Sequence, residues 1–427
     1  MYLSAGRAAD SARGIPVRTA RRGTVPGTVL ALGLVSLLTD VSAEMVTAVL
    51  PLYLMAGLGM SPLAFGALDG LHQGATALFR LAGGHLADRT RRHKLVAGTG
   101  YALSAVCKAG LLAVTTPWAV AAVLAADRTG KGLRTAPRDA LISLAAPPGE
   151  QGRAFGVHRA MDTAGALLGP LAAFGVLWVA VDAYEAVFTV SFCFAVLGVV
   201  VLALFVREAP APAAARAPLP ALRTLAGIPG LWRLCLAAAV LGLVTVSDSF
   251  LYLLLQRRLD LPAAWFPLLP VATAAGFLLC ALPAGRLADR FGRGRVFLGG
   301  HVLLLGACLL VLAPVPSGLP PALGVPALLG MFYAATDGVL MAAAGPLLPE
   351  RLRTTGLAVL QTVQALARFG GSLLFGAAWT LWGPYAALSA AAAGLTAVLA
   401  VLAVLAPVRG RGRGRGPEPG RGRAGRE

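Results

Sequence analysis

The chain has 427 residues, of which 57% are hydrophobic and 13% charged, and its mean hydropathy is +0.75. Soluble proteins carry about 25% charged residues, so a soluble enzyme, a disordered chain and a protein acting on nucleic acid alone are all excluded. The net charge of +18 is left to explain, and a membrane protein with its basic residues sorted to one face explains it.

A polar, basic stretch, residues 1–27, opens the chain. Apolar segments long enough to span a bilayer follow. They are predicted at 28–55, 62–85, 94–114, 118–143, 153–179 and 184–206, and again at 231–255, 262–283, 296–313, 321–347, 354–381 and 384–407. The first is too long for a signal-peptide core, and no plausible cleavage site ends it, so it is read as a retained helix. Residues 28–206 and 231–407 form two six-helix bundles. A Pro/Ala-rich linker, residues 207–230, joins them, and an Arg/Gly-rich tail, residues 408–427, closes the chain. An RG-rich tail can bind RNA when disordered, but next to a membrane it reads more simply as a segment drawn to anionic lipid.

With an even number of spans, both termini share one side. That side carries 27 Lys and Arg residues in its loops and tails, and the other side carries only Arg257 and Arg258. The positive-inside rule then places both termini in the cytoplasm of a bacterial cell, with the bundle in its cytoplasmic membrane. The five cysteines all fall in apolar runs and the five histidines show no metal-ligand spacing, so neither a metal site nor a cofactor is expected. No phosphate-binding G-x-x-x-x-G-K-[ST] loop is present, which argues against a primary pump, and no nucleophile–base constellation points to an enzyme.

The chain repeats itself. Gly84-His-Leu-Ala-Asp-Arg89 returns as Gly285-Arg-Leu-Ala-Asp-Arg290, Leu32-Gly-Leu-Val returns at Leu241, and Arg153-x-x-Gly156 returns as Arg353-x-x-Gly356. A duplicated six-helix half gives the two parallel units that a rocking transporter needs.

The loop between spans 2 and 3, Gly83–Arg92, reads G-G-H-L-A-D-R-T-R-R and is similar to the signature loop of the major facilitator superfamily. Its second copy, G-R-L-A-D-R-F-G-R at Gly285–Arg293, matches more closely; the first has Arg91 where a glycine is common. The resemblance covers essentially the whole chain and implies that Gly84, Asp88, Arg89 and Arg92, with Gly285, Asp289, Arg290 and Arg293, hold the halves together in one access state. Span 4, Leu124–Arg134, is similar to the L-x-x-x-R-x-x-Q-G pattern of proton-linked antiporters, which implies a role in proton transfer for Arg128. Lys131 replaces its glutamine. Span 5 resembles the antiporter motif G-x8-G-x3-G-P-x2-G through Gly156, Gly165, Gly169 and Pro170, with Ala173 in the last place. Small residues of this kind let helices approach closely, and a proline bends its helix.

Seven acids and seven bases fall well inside predicted spans. At about 3 kcal/mol each, fourteen unpaired charges would cost on the order of 40 kcal/mol, well above the ~5–15 kcal/mol net stability of a domain. They must pair or line a wet cavity. Asp40 and Glu44, four apart on span 1, are expected to raise each other's proton affinity. His158 and Asp162 are expected to share a face of span 5 with Arg159, as are Asp69, His72 and Gln73 on span 2. Proton-coupling candidates are therefore Asp40, Glu44, Asp127, Arg128, His158 and Asp162. Substrate-cavity candidates are Asp69 of the first half with Asp248, Asp337, Gln361, Gln364 and Arg368 of the second, which is expected to offer a mostly apolar wall.

The sequence thus predicts an all-α, twelve-helix secondary transporter of the major facilitator fold. It is expected to be a monomer that exports a small amphiphilic solute in exchange for protons, with no nucleic-acid partner. Proton-coupled uptake on the same fold, or a non-transporting membrane sensor, stays open at this point.

Overall fold

The structure is a computed structural model that describes residues 26–90, 92–146, 150–208, 225–314, 319–349 and 352–405. In the first half the helices are α1 (Gly27–Leu52), α2 (Pro62–Thr90), α3 (His93–Ala113), α4 (Pro117–Ala145), α5 (Gln151–Val179) and α6 (Tyr184–Phe205). The second half has α7a (Pro229–Val244), α7b (Asp248–Leu259), α8 (Leu268–Phe291), α9 (Arg293–Leu312), α10 (Leu319–Ala344), α11 (Arg353–Trp382) and α12 (Pro384–Leu405). Among the described residues ten spans are long and apolar enough to cross a membrane. The second and fourth predicted spans, α2 and α4, are not among them, because polar and charged residues interrupt their apolar runs.

Helix ends follow local chemistry. Pro117 and Pro229 occupy first-turn positions, where a missing N–H costs nothing. Between α8 and α9 the chain reverses through the single residue Gly292, at φ 97°. A side chain resists that conformation, which accounts for the glycine in the second signature loop. Arg91, its counterpart, lies outside the described residues.

The neighbour pattern repeats between halves. α1 packs on α5 and α6, α2 on α4, and α3 on α4 and α6; α7a packs on α11 and α12, α8 on α10, and α9 on α10 and α12. This is the two-bundle arrangement that the internal repeat predicts. One prediction needs correction. Span 7 is not continuous, because Thr245, Val246 and Ser247 leave helical geometry and Asp248 starts a new helix. The amides and carbonyls freed there need polar surroundings at mid-depth.

The ends carrying Gly27, Thr90 and Phe291 define a near side, and those carrying Pro62, Val179 and Trp382 a far side. The halves meet closely on the far side. α2 lies along α11, where a Cβ on Gly376 would stand 3.2 Å from Leu63 Cα, and the Leu63 amide donates to Thr380 Oγ1 at 3.2 Å. Phe174 and Trp178 of α5 stack edge-on against Trp265, just before α8. On the near side Phe155, Leu287 and Phe291 are exposed.

Of the span 5 motif, Gly165 and Gly169 press directly on α1. A Cβ on Gly169 would lie 2.8 Å from both Glu44 Cβ and the Val41 carbonyl oxygen. Gly156 has nothing within 4 Å of its Cβ position, so it plays no packing role here. Gly169→Val is expected to lower the melting temperature of purified protein by about 5 °C, as overpacking does. Gly156→Ala should leave it unchanged.

Candidate functional site

The first half is organised around one face of α4. Asp127, Lys131, Arg134 and Arg138 recur at i, i+4, i+7 and i+11, a single helical stripe through the bundle interior. Each meets a different partner. Asp127 takes Lys108 Nζ of α3 at 3.1 Å, with Arg128 at 3.8 Å. Lys131 faces Glu44 of α1 at 3.7 Å. Arg134 lies 4.0 Å from Asp40, donates to Ser104 Oγ at 3.3 Å, and sits over the Tyr101 ring. Arg138 reaches Asp162 of α5 at 3.5 Å, Asp139 at 3.0 Å and Ser36 Oγ at 3.2 Å. Ser36 Oγ in turn bonds His158 Nε2 at 2.9 Å.

Two sequence expectations change here. Asp40 and Glu44 do not act as a pair, because cations three apart on α4 take one each. The carboxyl that lies against Asp40 is that of Asp162. His158 does not join Asp162, which is held by Arg159 at 3.3 Å and by Arg138, while the buried imidazole turns to Ser36 of α1. Arg128 donates to Thr47 Oγ1 of α1 at 3.2 Å. Arg138 is not among the candidates named from the sequence; its register with Lys131 and Arg134 is the signal that finds it.

The second half is not a mostly apolar wall, which is a further correction. Asp248, Tyr333 and Arg368 gather round the break in α7, with Asp69 of α2 facing them from the first half. Arg368 is 4.0 Å from Asp337. Nearby, the buried Tyr252 hydroxyl bonds Thr273 Oγ1 at 2.7 Å. The break in α7 lies among them at mid-depth, where peptide groups outside helical geometry need polar neighbours. Asp69 accepts from Ser249 Oγ at 3.0 Å and Ser372 Oγ at 2.8 Å. A cavity of about 130 Å³ between α1, α2 and α7b has apolar walls, including Leu50 and Phe65, and touches both Asp69 and Asp248. Gln364 and Gln361 lie one and two turns nearer the near side than Arg368, Gln361 exposed. The side chains of His72, Gln73 and Asp88 lie outside what the structure describes, as do both terminal tails and residues 209–224. Among the described residues no group of three or more His, Cys, Asp or Glu side chains is arranged to hold a metal ion.

The chain matches the family model described as "Major Facilitator Superfamily" over residues 32–279 and 266–425. It is 30% identical over 362 residues to an uncharacterised MFS-type transporter of Methanocaldococcus jannaschii, covering 82% of this chain and 88% of that one. The chain belongs to the major facilitator superfamily. It is a multi-pass membrane transporter of that type. An uncharacterised protein of Mycobacterium tuberculosis is 31% identical over 271 residues, 62% of this chain and 66% of its own. Among solved structures, a variant of the nucleoside transporter NupG superposes with a TM-score of 0.76 at 14% identity, over 89% of this chain and all of that one. A peptide transporter, POT, gives 0.74 at 15% identity, over 90% and 96%. At such identities these neighbours share the fold.

In this superfamily member the described signature-loop charges stay within their own half. Asp289, largely exposed, pairs across the Gly292 turn with Arg293 at the start of α9 at 3.9 Å, and Arg290 lies over the Phe291 ring. Arg293 also donates to the Ala342 carbonyl, near the α10 C-terminus, where a cation is favoured. Arg89 and Arg92 are exposed and Gly285 stands open. Beside them Glu208 accepts the Lys94 amide at 3.0 Å, capping α3.

Asp127 serves two cations, whereas Lys108 serves one carboxylate that Arg128 also neutralises. Breaking a buried pair costs about 3–5 kcal/mol. Asp127→Asn is therefore expected to lower thermal stability more than Lys108→Met, in parallel melting curves of the purified proteins.

Proposed function

We propose that this transporter exports a small, amphiphilic solute in exchange for protons by alternating access. The observation that carries the reading is the contact between the Asp40 and Asp162 carboxyls beside Arg134 and Arg138. A hydrogen bond between two carboxyls needs a proton on one of them, so the pair can take up or release one proton beside Arg134 and Arg138. Glu44 and Lys131, each about 30% exposed and 3.7 Å apart, form the opening of this ladder toward the space between the halves. Asp127, locked between Lys108 and Arg128, is given the structural part, with Arg128 tying α4 to α1.

The antiporter-type motif supports export. Gly169 brings α5 against the α1 turn that carries Glu44, so the motif and the carboxylates form one packed unit. The solute is assigned to the space between the halves, against Asp248, Tyr333, Arg368 and Asp337, with Gln361 and Gln364 along its entry. The 27-to-2 bias in basic residues supports a cytoplasmic near side. A bacterial cytoplasmic membrane is the proposed location.

The test begins with a deletion strain screened against toxic compounds, and hits are then carried into proteoliposomes with an imposed pH gradient. Asp40→Asn and Glu44→Gln are expected to reduce gradient-driven flux at least tenfold while leaving solute-for-solute exchange measurable. Full gradient-driven flux in both variants would overturn proton coupling through these residues. Flux running with the protons, instead of against them, would make the protein an uptake symporter.

A further inference from the structure

We propose that Asp69 is a positioning residue of the transport cycle: the latch that holds the far side of the molecule closed. The inference rests on the alternating-access reading but not on proton coupling or on the identity of the solute.

Asp69 belongs to α2 in the first half, and the hydroxyls that donate to it come from the second. Ser249 Oγ of α7b donates at 3.0 Å, Ser372 Oγ of α11 donates at 2.8 Å, and the Ser247 hydroxyl at the α7 break lies within hydrogen-bond reach. The other acids within the spans of this half behave differently. Asp40, Glu44, Asp127 and Asp162 are held by cations of α3, α4 and α5, inside their own bundle. Rocking the halves apart on the far side leaves those four pairs intact and strips Asp69 of its serines.

The backbone is shaped for this contact. Gly66 and Gly70 flank Asp69 on α2 and face α11. A Cβ on Gly66 would come within 3.2 Å of the Ser372 carbonyl carbon, and one on Gly70 within 2.9 Å of Phe369 Cα. Only with small residues there can α11 come close enough for the short serine side chain to reach the carboxylate. The chemistry is selective too. A carboxylate offers lone pairs for several hydroxyls at once, whereas an amide offers a single oxygen.

Asp69 also lines both cavities beside the α7 break, where Asp248 of α7b, Tyr333 of α10 and Arg368 of α11 face it. The group that closes the gate is therefore in direct reach of whatever occupies that space.

The experiment uses the full chain in lipid nanodiscs, with Leu63→Cys and Thr380→Cys placed across the far contact. Cys193→Ser and Cys280→Ser remove the accessible native thiols, and a protease site is inserted within residues 209–224. After copper-phenanthroline oxidation and cleavage, the fraction of full-length protein on a non-reducing gel reports far-side closure. Asp69→Asn, and separately Ser249→Ala with Ser372→Ala, are expected to slow cross-linking at least threefold. Ser372→Thr, which keeps a hydroxyl, should restore most of the rate. Ser191→Ala, whose partner Ser42 lies in the same half, should match the parent. The serine variants keep Asp69 itself, so they test the latch even if Asp69→Asn folds poorly. Parent-like cross-linking in the serine pair and in any folded Asp69→Asn would overturn the proposal. If the latch variants open while Asp40→Asn and Glu44→Gln keep full gradient-driven flux, the latch stands and the proton reading fails.

Discussion

Charge inside a low-dielectric bundle has to be balanced within a few ångströms, and the first half is built to meet that demand. Four charges on one stripe of α4 dictate where α1, α3 and α5 can lie, because each needs its own counter-group. Lys108 fixes α3, Glu44 and Asp40 fix α1, and Asp162 fixes α5. The close approaches at Gly165 and Gly169 then follow, since α1 and α5 must come near enough to share the cations of α4. Packing alone would permit several registers; the ion pairs select one.

The second half solves a different problem. Its seventh span is broken, and the peptide groups released at Thr245–Ser247 draw a polar cluster to mid-depth. The two halves thus share a topology and a repeat but not an electrostatic design. The first keeps its charges in fixed internal pairs, with one partly open window at Glu44 and Lys131. The second exposes its polar groups toward the first. Such an asymmetry suits a transporter in which one unit handles the ion and the other the solute.

Much of this was legible in the sequence, for definite reasons. Span length and basic-residue counting depend on composition, so the helices appear close to their predicted limits and the two-bundle plan follows from the repeat. The stripe on α4 is equally readable from its i, i+4, i+7, i+11 spacing, although the sequence candidates stop short of Arg138. What could not be read were partners from other helices. Four-residue spacing put Asp40 with Glu44 and His158 with Asp162, but α4 and Ser36 intervened, and nothing in a linear pattern reports that. The break in α7 was hidden because Thr245-Val246-Ser247 contains no glycine or proline. The role of Gly292 became clear only from its left-handed backbone, and Gly156 fits a motif without filling the space the motif implies.

The interruption of α7 also has a mechanical consequence. An unbroken helix is a stiff rod and passes a tilt or twist from one end to the other. Three residues outside helical geometry behave as a joint, so torque applied at Pro229 need not arrive at Leu259. Motion on one side of the membrane can then begin before the other side has yielded, with the strain held for a time in the short outer segment. A rocker built this way opens and closes in sequence, and never has to present a continuous water path through its centre.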